Sequence, residues 1–394
     1  MHWLFLLHKE IQEFIAENLS TPVQKLALQK NPFPQWDWKI ILNQIEAKNK
    51  AKEKLPTWFN TNNIIFPAKI SIEQTSSETA AEYKATLISG TSLLDATGGF
   101  GVDSFYFAKT VQQVFHCEMN AELSAIVLHN FKQLNVQNII CFNDISENVL
   151  VNLAIKLDWI YIDPSRRNDV KGKVFLLKDC TPNVPELLDL YFKYSDCILI
   201  KTAPILDITA GLSELKFVKE IHIIATDNEV KELLWVIENN YTEKIVIKTI
   251  NITKKNTEYF HFPWLSKPIV NYQLPQKFLY EPNAAIMKSG GFEEVASQFA
   301  LHKLHPHSHL YTSDVKLPFC GRVFEITHCF PYGKSEMKTH LEHQKSNITV
   351  RNFPETVENI RKKWKIKEGG ALFSFFTTDI NNTKIVLLCN RINH

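Results

Sequence analysis

Apolar residues follow three different patterns along the chain, and the first of them is helical. Residues 3–55 repeat apolar positions at spacings of three and four, which predicts amphipathic helices. Residues 64–72 alternate enough to predict a short strand or hairpin. Residues 75–88 predict a further helix that begins at Ser76 or Ser77 and has acids in its first turn.

The second pattern begins at Ser92 and alternates short apolar runs with helical stretches. Six of these runs predict buried strands, at residues 92–97, 113–119, 138–144, 157–164, 196–203 and 220–226. Two later runs, 244–252 and 257–264, predict a hairpin-type pair. Such alternation predicts a mainly parallel, doubly wound α/β sheet, and a late antiparallel pair at its edge is typical of one class of this architecture.

The third pattern, from about residue 279, predicts a small α+β module after a connection punctuated by prolines. Residues 279–301 predict a strand, a turn and a helix. Further strands are predicted at 321–330, 371–379 and 383–391, with a helix at 353–366. We expect a helical region, an α/β domain and an α+β domain, bounded as 1–63, 64–274 and 275–394.

Composition adds expectations about partner and compartment. The 394-residue chain carries a net charge of +2, but residues 276–394 hold 16 Lys and Arg against 11 Asp and Glu. This basic balance favours an anionic partner such as RNA, and uneven surface charge would explain it equally well. Seven cysteines without a CxxC pair, together with the lack of an apolar run of membrane length, predict a cytoplasmic protein without a membrane partner.

A glycine turn, LLDATGGFGVD at residues 93–103, lies between the first predicted strand and a helix. Gly98, Gly99 and Gly101 permit a tight turn and the close approach of a ligand. Their spacing does not match the GxGxxG of dinucleotide-binding turns. Asp95, directly before the turn, suits the ammonium group of S-adenosylmethionine, and we expect its side chain to lie outside the core.

Two more acids end the following predicted strands. Glu118 lies 20 residues after Gly98, where an acid can bind the ribose hydroxyls of either kind of cofactor. Asp144 ends the third strand, where it can reach an adenine amino group. The alternative is a nucleotide-free domain in which these acids and glycines only shape turns.

The glycine turn resembles the first motif of class I S-adenosylmethionine-dependent methyltransferases. Its form D-A-T-x-G-x-G-x-D is also similar to that of some ribosomal RNA guanine-N2 methyltransferases, although Thr97 stands where the general pattern has its first glycine. The stretches EQTSSETAAEYKA, YIDPSRR, IKTAPILDI, NEVKELLW and EGGALFSFFTT…VLLCNR resemble a bacterial family of candidate RNA methyltransferases. In that family a class I methyltransferase domain precedes a C-terminal THUMP-like domain.

The resemblance implies a Rossmann-like methyltransferase sheet over 64–274, a THUMP-like RNA-binding domain over 275–394, and S-adenosylmethionine as the cofactor. Cofactor contacts are then expected at the ends of the first four strands, from Asp95, Ala96, Thr97, Gly98, Gly99, Gly101, Asp103, Glu118, Met119, Asp144, Ile145 and Asp163.

A second motif, WIYIDPSRRND, follows the fourth predicted strand and predicts the catalytic residues. Asp163 and Pro164 end the strand at the sheet edge where ligands bind, and the carboxylate can orient an acceptor or take its proton. Arg166 and Arg167 suit a phosphate or a stacked base, or form structural ion pairs. Lys201 ends the fifth strand, where it contacts substrate phosphate, holds Asp163, or is an ordinary strand-end lysine.

A cysteine nucleophile and a metal site have weaker support from the sequence. Cys180 and Cys197 follow DPSRR, but neither has a context that activates a thiol, so we expect both to be structural. The histidines of HKLHPHSHLY, residues 302–311, match no ordinary zinc spacing, and we expect no metal.

The sequence therefore predicts an S-adenosylmethionine-dependent methyltransferase that acts on a structured RNA, either tRNA or rRNA, and not on DNA. One alternative is a catalytically inactive RNA-binding protein with a methyltransferase-like domain. Another is a nucleotide-dependent oxidoreductase, which the glycine spacing disfavours. Protein and small-molecule acceptors, the methylated atom and the oligomeric state all stay open.

Overall fold

The computed structural model describes residues 2–67, 69–166 and 176–392. Its first part is helical, as predicted. A 3₁₀ turn, Leu4–Leu7, precedes six α-helices: α1 (Lys9–Glu17), α2 (Val23–Ala27), α3 (Trp38–Lys54), α4 (Pro56–Asn60), α5 (Lys69–Gln74) and α6 (Glu78–Ala85). The side chain of Ser77 caps α6 by accepting a hydrogen bond from the amide of Ala80, which decides between the two predicted caps.

The strand or hairpin predicted at residues 64–72 is wrong. Residues 64–67 have no regular secondary structure, and α5 follows them. Amide side chains take the place of a neighbouring strand, since Asn130 exchanges two hydrogen bonds with the backbone of Ile65 at 2.9 and 2.8 Å. Gln44 does the same for Ile64 and Phe66, at 3.1 Å each. The alternating apolar residues are therefore buried without forming a strand.

In the residues that the structure describes, the α/β part carries eleven strands and five α-helices, together with a 3₁₀ turn at Leu177–Asp179. In chain order they are β1 (Ser92–Asp95), α7 (Val102–Phe107), β2 (Gln113–Cys117), α8 (Ala121–Gln133), β3 (Ile139–Phe142), α9 (Ser146–Leu153), β4 (Trp159–Ile162), β5 (Ser165–Arg166), β6 (Cys180–Thr181), α10 (Val184–Tyr191), β7 (Cys197–Thr202), α11 (Ile208–Glu214), β8 (Val218–Thr226), β9 (Glu229–Glu238), β10 (Val246–Ile252) and β11 (Thr257–Pro263).

Nine of these strands form one sheet in the order β11-β10-β8-β9-β7-β4-β1-β2-β3. Four neighbouring pairs in this sheet are parallel: β1 with β2, β1 with β4, β2 with β3, and β4 with β7. Strand β11 is antiparallel to β10, which confirms the late antiparallel pair. The mainly parallel, doubly wound α/β sheet predicted from the sequence is therefore present.

Within this sheet, strand β9 was not predicted from the sequence. It runs antiparallel to β7, and its residues 232–237 are buried without interruption. A run of this kind has no period of two, so the sequence pattern does not separate it from a buried helix. The preceding residues Asp227 and Asn228 both have positive φ angles, of 48° and 64°. That conformation is typical of a tight hairpin turn, and Asp and Asn tolerate it well, so the Asp227-Asn228 pair is the sequence signal that could have revealed β9.

The chain forms two compact units. The first consists of Met1–Lys219 and Leu233–Glu243, and the second of Glu220–Glu232 and Lys244–His394. The domain boundaries predicted at 63/64 and 274/275 stay a prediction. In the part of the chain that the structure describes, no helix is long and apolar enough to cross a membrane.

The last part of the second unit is α+β, as predicted. Its elements are β12 (Phe278–Pro282), α12 (Ala284–Ser289), α13 (Phe292–Gln298), β13 (His302–Lys303), β14 (Tyr311–Ser313), β15 (Gly321–Pro331), α14 (Lys334–His340), β16 (Asn347–Val350), α15 (Val357–Trp364), β17 (Leu372–Thr378) and β18 (Lys384–Arg391). Seven strands form a sheet in the order β13-β14-β12-β15-β18-β17-β16. Buried Met337 and Ile360, on α14 and α15, join the apolar cluster that includes Phe376.

Candidate functional site

The candidate site lies where neighbouring parallel strands of the first unit end. Strands β7, β4, β1, β2 and β3 are adjacent and parallel, so their carboxyl ends share one edge of the sheet. The glycine turn follows β1, Glu118 follows β2, Asp144 follows β3, and DPSRR follows β4. Ligands of open α/β sheets bind at this edge.

Packing dictates two of the three glycines in the turn. A Cβ atom at Gly98 would lie 2.1 Å from Cε1 of His116, and one at Gly101 would lie 2.6 Å from Cζ of Phe131. Gly101 also has a φ of +80° and caps the start of α7, a conformation that favours glycine. At Gly99 a Cβ atom would make only an ordinary 3.8 Å contact with the carbonyl oxygen of Thr97, so its φ of +54°, not packing, favours glycine there.

Asp95 does not lie outside the core, and that expectation is wrong. Its residue is only 1% exposed. One carboxylate oxygen accepts a 2.6 Å hydrogen bond from Ser104 Oγ, and the other accepts a 3.2 Å bond from the amide of Thr97. Burial, together with the negative charges of Asp103 and Asp163, raises the pKa of Asp95 to about 7. Its predicted contact with the cofactor stays a prediction.

A buried histidine continues the network of Asp95. Nδ1 of His116 lies 2.9 Å from Ser104 Oγ, and burial lowers the pKa of His116 to about 3, so the ring is neutral. When Asp95 is ionised, Ser104 donates to Asp95 and His116 donates to Ser104. When Asp95 is protonated, both hydrogen bonds reverse. In either arrangement, His116 Nε2 has no hydrogen-bond partner among the described residues.

Asp103, in the first turn of α7, has a different partner. The fully buried ammonium of Lys84 lies 2.8 Å from its Oδ1, while Tyr161 and Ser76 donate to Oδ2 at 2.8 and 3.0 Å. Burial alone would raise the pKa of Asp103, but the charges of Lys84 and Lys201 outweigh burial and hold it below its usual range. This ion pair joins α6, α7 and β4 beneath the site.

Thr97 connects the glycine turn to the motif after β4. Its Oγ1 accepts a 2.6 Å hydrogen bond from the amide of Asp163, across 66 residues of sequence. The Asp163 carboxylate accepts a 2.5 Å bond from Nζ of Lys201, near the end of β7, so of the roles considered for Lys201 the structure shows it holding Asp163, and its contact with substrate stays a prediction. The side chain of Asp163 is 34% exposed. A carboxylate held by a lysine therefore stands open at the sheet edge.

Glu118 holds the glycine turn against β2. Its Oε2 accepts a 3.0 Å hydrogen bond from the amide of Gly99, and its Oε1 accepts a 2.7 Å bond from the amide of Asn120. Gly98 reinforces the connection by donating to the carbonyl of Cys117 at 2.8 Å. Glu118 therefore shapes the turn in this structure, and ribose binding by it stays a prediction.

The remaining predicted cofactor residues lie around the same edge. Ala96 is buried and donates its amide to the carbonyl of Tyr161 at 2.9 Å. Met119 is 68% exposed and Ile145 is 42% exposed, so two large apolar side chains follow β2 and β3 without being buried. Asp144 accepts 2.8 Å hydrogen bonds from the amide of Ile145 and from Asn148. Apolar surface and carboxylates thus occur together at this edge of the sheet, a combination that suits the base and the ribose of a nucleoside.

The structure describes most of the DPSRR motif. Pro164 is buried, and Arg166 is exposed in β5, which pairs antiparallel with β6. Arg167 lies outside the described residues. The roles predicted for these residues stay predictions.

The other chemistries considered from sequence gain no support. Cys180 is buried and its thiol lies 3.7 Å from the carbonyl of Leu176. Burial raises the pKa of the Cys197 thiol, which opposes thiolate formation. Within residues 2–67, 69–166 and 176–392, no group of His, Cys, Asp or Glu side chains could hold a metal ion.

Sequence reasoning missed four residues that organise this edge: Lys84, Ser104, His116 and Tyr161. His116 carried a signal, because it is a single histidine in the otherwise apolar run QVFHC. Lys84 gave none, since a lysine in a helix is normally exposed.

Comparisons with known proteins agree with this architecture. A crystal structure of a candidate methyltransferase from Porphyromonas gingivalis W83 has 29% sequence identity with this chain. The alignment covers 98% of each chain and has a TM-score of 0.88. No curated protein matches the chain.

Two further structures are similar to part of the chain. TrmK of M. capricolum, in complex with its cofactor product S-adenosylhomocysteine, is 16% identical over 42% of this chain and 70% of its own, with a TM-score of 0.32. The candidate methyltransferase SMU.1697c of Streptococcus mutans, also with S-adenosylhomocysteine, is 11% identical over 41% and 96%, with a TM-score of 0.30.

Two family models match the second unit. Residues 278–319 match a ferredoxin-like domain, and residues 321–391 match a THUMP domain-like family. This chain therefore shares the fold of the P. gingivalis candidate methyltransferase over nearly its whole length and ends in a ferredoxin-like segment followed by a THUMP-domain-like segment.

Proposed function

We propose that this protein is an S-adenosylmethionine-dependent methyltransferase whose acceptor is a structured RNA, either tRNA or rRNA. The observation that carries the proposal is the connection between the two motifs. Thr97 binds the backbone of Asp163, and Lys201 binds its carboxylate, so the glycine turn and DPSRR form one group at the ligand edge of the sheet. The similarity to the P. gingivalis protein supports the same class of enzyme.

The charges of the site favour S-adenosylmethionine over a dinucleotide. The turn from Leu93 to Ser104 contains no lysine or arginine, and Asp95, Asp103 and Glu118 surround it with carboxylates. The turn therefore offers a diphosphate no cationic side chain, whereas the ammonium group of a zwitterion can pair with a carboxylate there. Exposed Met119 and Ile145 offer apolar surface for an adenine ring, with Asp144 beside them.

S-adenosylmethionine, when bound, supplies a methyl group carried by a positively charged sulfur. The residues of this chain would position the acceptor and manage its charge. Lys201 holds one oxygen of the Asp163 carboxylate, and the other has no partner among the described residues. That oxygen can accept a hydrogen bond from the acceptor group and stabilise the positive charge that develops on it.

The acceptor class rests on the second unit. Residues 321–391 match a THUMP domain-like family, and residues 276–394 carry a balance of 16 basic against 11 acidic side chains. Structured RNA is the polyanion that we propose as acceptor, because basic folded surfaces bind its phosphates and shape.

The cofactor is tested by calorimetry of the full chain with S-adenosylhomocysteine and, separately, with NAD. We expect binding of the first alone, and binding of NAD alone would establish a nucleotide-dependent oxidoreductase instead. The acceptor is tested by mass spectrometry of nucleosides in total RNA from a strain that lacks the gene and from its parent. One methylated nucleoside should be lost.

The catalytic assignment is tested with Asp163→Asn. We expect methyl transfer to fall about 10²-fold or more, because the carboxylate charge that faces the acceptor is lost, while S-adenosylhomocysteine affinity changes little. Asp189→Asn is the matched control, since that aspartate lies in an exposed ion pair with Lys216. Cofactor binding without methyl transfer to any RNA would favour the inactive RNA-binding protein.

A further inference from the structure

Two arginines of the second unit share one buried glutamate. Glu281 lies near the end of β12, and its side chain is 3% exposed. Its Oε2 accepts hydrogen bonds from Nε, at 2.8 Å, and Nη2 of Arg322. Its Oε1 accepts a 3.0 Å bond from Nη2 of Arg351. Both guanidinium groups therefore lie against the same carboxylate.

This cluster keeps a positive charge. Two guanidinium groups face one carboxylate, which leaves an excess of one positive charge, and both arginine side chains are 34% exposed. The carboxylate occupies two of the five N–H donors of Arg322 and one of the five of Arg351. Most donors of the pair are thus available to a second anion.

One donor points directly to a missing partner. Nε of Arg351 is buried and has no hydrogen-bond partner among the described residues. A buried donor without a partner costs free energy, and it shows that Glu281 does not satisfy the Arg351 guanidinium completely. The Nη1 groups, which Glu281 does not use, can still donate to phosphate oxygens beside the charge of both guanidinium groups.

A loop of histidines lies beside Arg351. His305 Nδ1 lies 3.0 Å from Asn352 Nδ2, so the loop of His305 to His309 lies beside Arg351. Burial, together with the positive charges of Lys303 and Arg351, lowers the pKa of His309 to about 4. Burial lowers the pKa of Lys303, and the charges of Glu293 and Glu294 act against that shift.

From these contacts we propose that Arg322 and Arg351 form a binding site for a backbone phosphate of RNA. The site is made where two segments join, since Glu281 belongs to the ferredoxin-like match and both arginines belong to the THUMP-domain-like match. Its identification as an RNA site rests on the proposed function. Phosphate binding itself does not depend on methyl transfer.

The first arm of the test uses inorganic pyrophosphate and calorimetry of the full chain. Arg351→Lys and Arg322→Lys keep the positive charge beside Glu281, so the fold survives, but they lose the paired donors. We expect each to weaken pyrophosphate binding at least about fivefold. Arg361→Lys is the matched control, because Arg361 donates to the carbonyl of Ser346 at the other end of β16 from Arg351.

The second arm uses a fluorescein-labelled RNA hairpin, without cofactor. We expect pyrophosphate to displace the hairpin from the wild-type protein and both lysine variants to bind it at least about fivefold more weakly. Failure of wild-type protein to bind pyrophosphate, or equal binding by all four proteins, would overturn the phosphate site. Pyrophosphate binding that leaves hairpin affinity unchanged would overturn its assignment to RNA.

These outcomes are separate from the proposed function. Both arms are read without S-adenosylmethionine, so loss of methyl transfer in the parent protein changes neither. Conversely, a protein that methylates RNA normally after Arg351→Lys, with unchanged hairpin affinity, would keep the proposed function and lose this inference.

Discussion

Asp95 is buried and the Asp103 side chain is only 12% exposed beside the glycine turn, yet their surroundings shift their pKa values in opposite directions. Asp95 is held by the hydroxyl of Ser104 and one backbone amide, and its pKa rises to about 7. Asp103 is held by the ammonium of Lys84 as well as by two hydroxyls, and its pKa falls. Neutral donors do not offset the cost of burying a charge here, whereas a buried cation does.

The comparison also assigns different tasks to the two carboxylates. Asp103 is ionised near neutral pH and joins three elements through Lys84, Tyr161 and Ser76. Asp95 titrates near neutral pH, so its network with Ser104 changes hydrogen-bond direction there. The first is a structural ion pair, and the second is a network whose protonation a nearby ligand could change.

The largest expected effect comes from removing the cation. Lys84→Met leaves Asp103 buried without its ion-pair partner and should lower the free energy of unfolding by about 3–5 kcal/mol at pH 7.5. Urea unfolding measures this. Lys9→Met is the control, since Lys9 pairs with Glu13 at the surface and should change stability by less than about 0.5 kcal/mol.

The double variant Lys84→Met, Asp103→Asn sharpens the result. Because the second substitution removes the unpaired charge, the double variant should be more stable than Lys84→Met alone. A loss below about 1 kcal/mol in the single variant, or a double variant less stable than the single one, would contradict the assignment of Asp103 as a charge held by Lys84.

The second effect depends on pH. Asp95 has a folded pKa of about 7 and an ordinary unfolded value near 4, so the folded state binds more protons in this window. The wild-type protein therefore loses stability as pH rises from about 4 to about 7. Asp95→Asn cannot ionise, so its stability relative to wild type should rise by about 2–3 kcal/mol between pH 5 and pH 8.

Chemical denaturation at pH 5, 6.5 and 8 checks this difference. His116 acts in the opposite sense, because its lowered pKa makes the folded state lose stability as pH falls below about 6.5. Both proteins contain His116, so most of that contribution cancels in the difference. A difference that stays constant or falls with rising pH would show that Asp95 is not the group that titrates.

The smallest expected effect is a difference in stability between variants of two serines, Ser104 and Ser76, each of which donates a hydrogen bond to one of the two aspartates. Ser104→Ala leaves Asp95 with one amide donor and removes the partner of His116, whereas Ser76→Ala leaves Asp103 with Lys84 and Tyr161. Both losses should lie in the range of about 0.5–3 kcal/mol, and Ser104→Ala should cost about 1 kcal/mol more. Thermal unfolding of the two variants measures this, and equal costs would contradict the contrast.

The local pattern of apolar residues was sufficient to predict most of the helices and strands. It was insufficient where side chains, and not a neighbouring strand, bind the backbone. The strands around Leu94, Phe115, Ile160 and Leu199 are short apolar runs bounded by turns, and each was predicted correctly. The segment at Ile64 has a similar pattern, but Gln44 and Asn130 bind its backbone instead of a strand. The position of those two amides depends on helix packing, which no local pattern encodes.

Sequence by itself determined which chemical groups lie at the ends of the strands, because a strand, a glycine turn and a following acid are local features. The tertiary structure decided which of them meet. Thr97 and Asp163 lie 66 residues apart, and they touch because β1 and β4 are adjacent in the sheet. It also decided that Asp95 faces the core while Asp163 faces outward, since burial depends on the elements packed above each strand end. The same packing brings Lys84 to Asp103 and not to Asp95, and this sets the direction in which each pKa is shifted.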